Sequence, residues 1–403
     1  MQDRRIAWKE AARVFLLSRA ILLVITMLTV LSVELLQNQN AGVHALYLSM
    51  PYSHDPAGLH VFLFSWYHWD AVHFVSISAH GYADTANTAF LPLWPLLQHI
   101  TGLLLGGIYP GSYYFAGLLL SNLCFYVVLA LLYQLIAADF DAYTARRGLF
   151  YLSFAPYALF FFAGYTESLF LLLCLATFLA LRRGRARDWW FAGMLGFLAT
   201  LTRSSGVALA VPYLALYAQH FWLSSERPRY AWREQLNALA PIILIPVGVV
   251  AYLVYLYFAK GNPFIFSAAE IHYWHRHLSF PWTTLSLIWR AFFSATSSVH
   301  LWGESVAFVF TLIPLLILGL GWRRIPLHYA LFSLVLAALS LSFPLETDSP
   351  LLSQPRYLLM LFPITVIAAL WGKNRRFHQG YLALSSGCFV TFTVLFVCGL
   401  WVA

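Results

Sequence analysis

Residues 14–36 read VFLLSRAILLVITMLTVLSVELL, directly after a segment carrying Arg4, Arg5, Lys9 and Arg13. An apolar run of this length matches the roughly 20 residues a helix needs to cross a hydrocarbon core. It is too long for the apolar region of a signal peptide, and no clear small-x-small cleavage site follows. It is therefore read as a retained first span, with the basic residues on the inner side.

The rest of the chain supports that reading. Of the 403 residues, 61% are hydrophobic and 10% are charged, against about 25% charged in a soluble domain. That much apolar surface belongs in a bilayer. The net charge of +8 is explained by basic inner loops rather than by nucleic acid, because no basic stripe interleaved with aromatics lies on a polar surface. Cys124, Cys174, Cys388 and Cys398 all sit in apolar runs without CxxC spacing. They read as small core residues, not as a metal site or disulfide frame.

Basic clusters recur at 4–13, 146–147, 182–187, 227–233, 323–324 and 373–376. Placing them all inside gives a consistent zigzag of about eleven spans, at 14–36, 112–137, 149–164, 167–181, 189–203, 205–222, 237–258, 304–321, 328–343, 357–372 and 380–402. The expected architecture is an all-α polytopic membrane protein, one transmembrane domain over 1–403 with a cytoplasmic N-terminus. The apolar segment 89–107 contains Leu-Pro-Leu-Trp-Pro. A full span there would put Arg146 and Arg147 outside, so an interfacial or re-entrant helix is expected.

Three outer loops follow from this topology, at 37–111, 260–303 and 344–356. No Lys or Arg occurs between Arg19 and Arg146. The first loop instead carries His54, Asp55, His60, His68, Asp70, His73, His80 and Asp84, with Trp66, Tyr67, Trp69 and Tyr82, a mixture suited to interfacial amphipathic helices.

Five cations break the inside rule: Arg203, Lys260, Arg276, Arg290 and Arg356. Stray outer arginines can be snorkelling anchors. Three of these, however, sit in polar clusters: Thr202-Arg203-Ser204, the His272–His277 stretch around Arg276, and Gln354-Pro355-Arg356-Tyr357. Several outward cations together call for an anion, and phosphate fits guanidinium geometry best. Among the carboxylates, Asp70 lies beside bulky aromatics, where partial desolvation strengthens a base; its ordinary alternative is a surface loop Asp. Glu167, in Tyr165-Thr166-Glu167-Ser168, reads either as a site carboxylate or as a first-turn residue after a Thr166 cap. His68 and His73 flank Asp70 but match no strong metal signature, so no metal site is expected. No Walker loop, G-x-S-x-G or dinucleotide fingerprint is present.

These residues fall into an ordered set. Trp69-Asp70-Ala71-Val72-His73-Phe74, Gly81-Tyr82 and Ala89-Phe90-Leu91-Pro92-Leu93-Trp94-Pro95 resemble the W-D-x-x-[YHW]-[FY]…G-Y…A-F-[FL]-P-L-[YW]-P pattern of the PIG-V family, the GPI mannosyltransferase 2 enzymes and their bacterial relatives. Phe154-Ala155-Pro156 with Tyr165–Phe170, Leu201–Gly206, Asn262-Pro263-Phe264 with Trp274-His275-Arg276, and Ser353–Leu358 with Phe362-Pro363 continue the match, over about residues 60–365. Two departures stand out: His68 stands where the resemblance leads one to expect an Arg before Trp-Asp, so no phosphate contact is carried over to that position, and Glu270 stands near the family's Gln before Trp274.

The resemblance implies a GT-C type glycosyltransferase that takes sugar, as a rule mannose, from a polyprenyl-phosphate donor and inverts the anomeric centre. Its acceptor would be a glycan or glycolipid. An Asp in the first outer loop would be the base, at Asp70. Arg203, Arg276 and Arg356 would meet the lipid phosphate, with His73, Glu167, His272 and Tyr357 as further binding candidates and His275 a weaker one. Trp69, Tyr82 and Trp274 would stack on sugar or anchor loops at the interface. Arginine can neutralise a lipid phosphate, so no metal or other cofactor is required. Short, plain loops favour the bacterial branch, with the site on the periplasmic face of the plasma membrane. Two other classes remain: a lipid or polysaccharide flippase or secondary transporter, which would want mid-span ionisable residues and internal repeats, and a membrane scaffold, whose outer polar residues would be freely replaceable.

Overall fold

The computed structural model describes residues 2–37, 62, 64–107, 110–223, 230–294, 298–346 and 349–402. His54, Asp55 and His60 lie outside the described residues. The helices run α1 (Gln2–Gln37), α2 (Asp70–His80), α3 (Leu93–Leu104), α4 (Pro110–Asp139), α5 (Ala142–Ser153), α6 (Glu167–Arg183), α7 (Ala186–Thr202), α8 (Ala210–Ala218) and α9 (Trp232–Leu239). They continue through α10 (Leu244–Lys260), α11 (Ile265–His272), α12 (Pro281–Ser294), α13 (Ser298–Gly321), α14 (Leu327–Leu341), α15 (Gln354–Leu358), α16 (Phe362–Trp371) and α17 (Arg375–Val397).

Among the described residues, five helical stretches are long and apolar enough to cross a membrane: Arg4–Val33, Gly111–Asp139, Trp232–Lys260, Leu301–Arg324 and Arg375–Val397. The expected set of about eleven is not matched by helices of that kind. α6 and α7, at 17 residues each, are at the lower length limit, and two expected spans are broken. The expected helix 149–164 ends at Ser153. Pro156 disfavours helical backbone at Ala155 and has no N–H to donate. One tight turn follows at Ala158–Phe161, and Gly164 turns the chain at φ 74°. The expected helix 357–372 is likewise interrupted between Leu358 and Phe362. The segment 89–107 holds the 12-residue α3, about 18 Å long and so shorter than a hydrocarbon core.

The chain forms two compact units. The first comprises 1–81, 95–168 and 369–403. Here α4 packs on α1, α2 and α5, and α17 packs on α1. Asp141 caps α5 by accepting from the Thr144 N–H at 2.7 Å, and Asn374 caps α17 through the N–H groups of Arg376 and Phe377. The irregular stretch 154–166 is enclosed in protein, with only Ala155 and Pro156 partly open. Enclosure in protein is a setting in which non-helical backbone is tolerated at membrane depth. Its carbonyls are met by side chains: Ser385 Oγ donates to Phe154 O at 2.6 Å, and Asn122 Nδ2 donates to Phe162 O at 3.4 Å.

The second unit comprises 82–94 and 169–368. In it α7 packs closely on α10, because side chains at Gly196 and Gly248 would collide with the opposing helix, and one at Gly193 with Pro241 in the turn just before α10; small residues of this kind bring membrane helices together. Phe178, Tyr329 and Phe362 form a buried group of edge-on rings 5.2–5.3 Å apart. The 260–303 and 344–356 segments are stitched together: Arg276 pairs with Leu345 as an isolated bridge, and Glu346 N–H donates to His275 O at 2.9 Å; Ser279 N–H also donates to Ser342 O, at the end of α14, at 2.8 Å.

Candidate functional site

The sequence candidates fall into two groups, one in each unit, and each is described by itself. In the first unit, Asp70 is the first residue of α2, in the turn where a helix favours negative charge. His73 follows one turn later on the same helix face; both are half-buried. Trp69, just before, sits at φ 54° and ψ −123°, a conformation that costs a bulky residue energy. Its indole packs edge-on against Trp401, centroids 4.4 Å apart. The backbone one residue earlier is gripped from the Tyr165–Ser168 turn: Tyr165 OH donates to His68 O at 2.8 Å. The Phe74 ring packs edge-on against Tyr165. Glu167 opens α6 and is fully buried. Tyr165, not singled out from sequence, is therefore the physical link between the Trp69–Asp70 turn and the Glu167 turn.

His68 adds no positive charge beside Asp70. It is buried, edge-on to Phe396, and burial pushes its imidazole down to about 4, a hydrogen bond to the Ser65 backbone opposing this only in part. The unfolded chain takes up a proton near pH 6.5, whereas the folded chain does so only near 4. Stability contributed by neutral His68 is therefore complete above pH 6.5 and lost as pH falls toward 4, by up to about 3 kcal/mol. A His68→Gln variant should lose less thermal stability than wild type between pH 6.5 and 4.5; parallel melting curves across that range would contradict this.

In the second unit, three arginines remote in sequence converge on one phenol ring. The guanidinium carbons of Arg203, Arg356 and Arg276 lie 4.5, 5.2 and 5.6 Å from the Tyr357 centroid. Arg276 donates to Tyr357 OH at 3.1 Å and to Leu352 O at 3.0 Å. Arg203 is delivered by the extended hinge that ends α7, and Arg356 is buried on the short α15. Gln354 fixes that turn, donating to Ser340 O at 2.7 Å and accepting from Ser340 Oγ at 2.5 Å. Among the described residues, the non-glycine positions with positive φ are Trp69, His275 and Ser353. One precedes Asp70, one precedes Arg276, and one opens the turn carrying Arg356. Backbone strain held at such places is characteristic of functional sites.

His272 is exposed at the last turn of α11. Tyr82 is buried, its OH donating to Phe90 O at 2.8 Å and its ring against Tyr252 and Tyr255. Trp274 donates from Nε1 to Ala86 O at 3.3 Å and packs edge-on against Phe90. Both aromatics thus fasten the 82–94 segment within its unit. Among the described residues, no group of three or more His, Cys, Asp or Glu side chains is placed to hold a metal ion.

Known proteins resemble this chain. GPI alpha-1,6-mannosyltransferase 2 of Cricetulus griseus is 30% identical over 208 residues, 47% of this chain and 40% of that protein. The human protein of that name is 31% identical over 210 residues, 47% of this chain and 40% of its own. GPI mannosyltransferase 2 of Schizosaccharomyces pombe is 29% identical over 238 residues, 54% and 49%. The matched region therefore spans under half the length of these curated relatives. Among solved structures, the Archaeoglobus fulgidus oligosaccharyltransferase tethered to an acceptor peptide aligns with a TM-score of 0.44 at 11% identity, covering 95% of this chain and 55% of that one. The same archaeon's enzyme in complex with an inhibitory peptide and a dolichol-phosphate gives 0.40 at 11% identity, covering 94% and 55%. The family model described as Mannosyltransferase (PIG-V) matches residues 8–312. That stretch is more than half of the chain and holds Asp70, Glu167, Arg203 and Arg276. The chain belongs to the PIG-V mannosyltransferase family.

Proposed function

We propose that this chain is an inverting GT-C type mannosyltransferase. It moves mannose from a polyprenyl-phosphate donor to a lipid-linked or glycan acceptor at the outer face of a bacterial plasma membrane. The observation that carries the reading is the convergence of Arg203, Arg276 and Arg356 on Tyr357. Three guanidiniums gathered at one ring suit an anion that they share, and phosphate oxygens match their planar donors. In the reaction, the acceptor oxygen attacks the anomeric carbon from the face opposite the lipid phosphate. Asp70 accepts the acceptor's proton. The bond from the anomeric carbon to the phosphate oxygen breaks, and the phosphate leaves with the electron pair. The arginines meet the charge that grows on it. His73 and Glu167 are assigned to binding, and Trp69 to stacking on sugar or anchoring its turn.

The purified protein in lipid nanodiscs, given polyprenyl-phosphate mannose and a panel of glycolipid acceptors, should release polyprenyl phosphate and form a mannosylated product. Because arginine supplies the positive charge, turnover should persist in EDTA. Activity lost in chelator and restored by a divalent ion would remove the metal-independent clause. Ion-coupled lipid movement without sugar transfer would replace the enzyme reading with a flippase.

A further inference from the structure

We propose that Arg19 is a positioning residue, which through the Phe161 carbonyl holds the broken segment between α5 and α6 in the shape that sets the Asp70 turn. This rests on the reading of Asp70 as base.

Arg19 lies within the first membrane span, Arg4–Val33, and is buried. Its guanidinium sits 4.4 Å from the Phe125 ring centroid and 5.3 and 5.8 Å from those of Phe15 and Phe162. Nη2 donates to Phe161 O at 3.0 Å. Nε and Nη1 make no hydrogen bond among the described residues. A cation inside a span is costly, and such residues mark function; ring faces offset part of that cost.

The site of the single hydrogen bond gives the cation its use. Phe161 O also accepts from Ser121 Oγ at 3.1 Å and Ser168 Oγ at 3.3 Å. One carbonyl thus ties together the first span, α4 and the residue after Glu167. Four residues beyond Phe161, Tyr165 reaches to His68 O, two residues before Asp70. The chain of contacts is continuous within one unit: Arg19, Phe161, the Tyr165–Ser168 turn, His68, Asp70. Because Phe161 O keeps two other donors, removing Arg19 leaves no buried acceptor unmet. A role in stability alone therefore predicts little loss, whereas a positioning role predicts misplacement of the turn.

Arg19→Met and Arg19→Lys should be compared with wild type by thermal unfolding, by hydrogen–deuterium exchange of peptides covering 64–72 and 158–168, and by donor kinetics. Arg19→Met is expected to melt no lower than wild type. It should exchange faster in both peptides but not in 232–260, and lose about 10- to 100-fold in kcat with donor KM unchanged, the cost of a misplaced reacting group. Arg19→Lys, which can still donate to Phe161 O, should recover part of both signals. Unchanged exchange at 64–72 with unchanged kcat would overturn the proposal, as would activity that falls only in step with folded protein. If wild type transfers no sugar, the functional reading fails, and the exchange pattern alone decides whether Arg19 holds the turn.

Discussion

Asp70→Asn should lower kcat by about 10²- to 10⁴-fold, the range in which a positioned general base contributes, while leaving donor KM near its wild-type value. The substitution keeps the shape of the side chain and removes its charge and basicity. Asp70 opens α2, so the lost interaction with the helix terminus costs about 0.3–1 kcal/mol, too little to mimic a catalytic loss of this size by unfolding. The turn leading into Asp70 is held independently of its carboxylate, by the Tyr165 hydroxyl on His68 O and the Trp69–Trp401 contact. Backbone geometry in the variant should therefore match wild type. Asp70→Glu keeps the base and moves it by a methylene, so it should fall between the two. Transfer from polyprenyl-phosphate mannose at the wild-type rate by Asp70→Asn would eliminate Asp70 as the base and return the choice to another carboxylate, Glu167 first.

What could be read from sequence, and what could not, divides along physical lines. Hydropathy reports how much apolar surface a segment carries, and it pointed to an all-helical membrane chain, with the five long helical stretches falling among the roughly eleven spans expected. It does not report whether backbone hydrogen bonding is continuous. The stretch 149–164 is apolar enough to be taken for a span, yet Pro156 and Gly164 break it, and it survives because Arg19, Ser121, Ser168, Asn122 and Ser385 donate to its carbonyls. Those donors lie 40 or more residues away, except Ser168, so no local window contains them. Charge on the wrong side of a membrane is a different kind of signal. It singled out Arg203, Arg276 and Arg356, although only folding could reveal that all three meet one ring. His68 had the reverse outcome: the residue type allows a cation, and burial removes it. Positive φ at Trp69, His275 and Ser353 had no sequence signature at all, since these residue types rarely adopt it.

Arg356→Ala should cost about 10²-fold in kcat/KM for the donor, comparable to removal of one donor from a preorganised anion-stabilising site. Arg356 is buried, so truncation also leaves a cavity, and Arg356→Lys is the necessary companion. Lysine keeps a positive charge but loses the planar fork, and should retain part of the activity without the cavity. The arginines share one ring and, on the proposed reading, one phosphate, so their effects should not add. Arg276→Lys combined with Arg356→Lys should cost measurably less or more than the sum of the single changes, as expected of groups in one network. Tyr357→Phe supplies the control: it frees Arg276 from the phenol oxygen at 3.1 Å without altering charge, and should shift donor binding by far less than loss of either guanidinium. Unchanged donor affinity in both Arg356 variants would exclude Arg356 from phosphate recognition. Strict additivity across the pair would mean that the two arginines do not act on the same anion, whatever their distance from Tyr357.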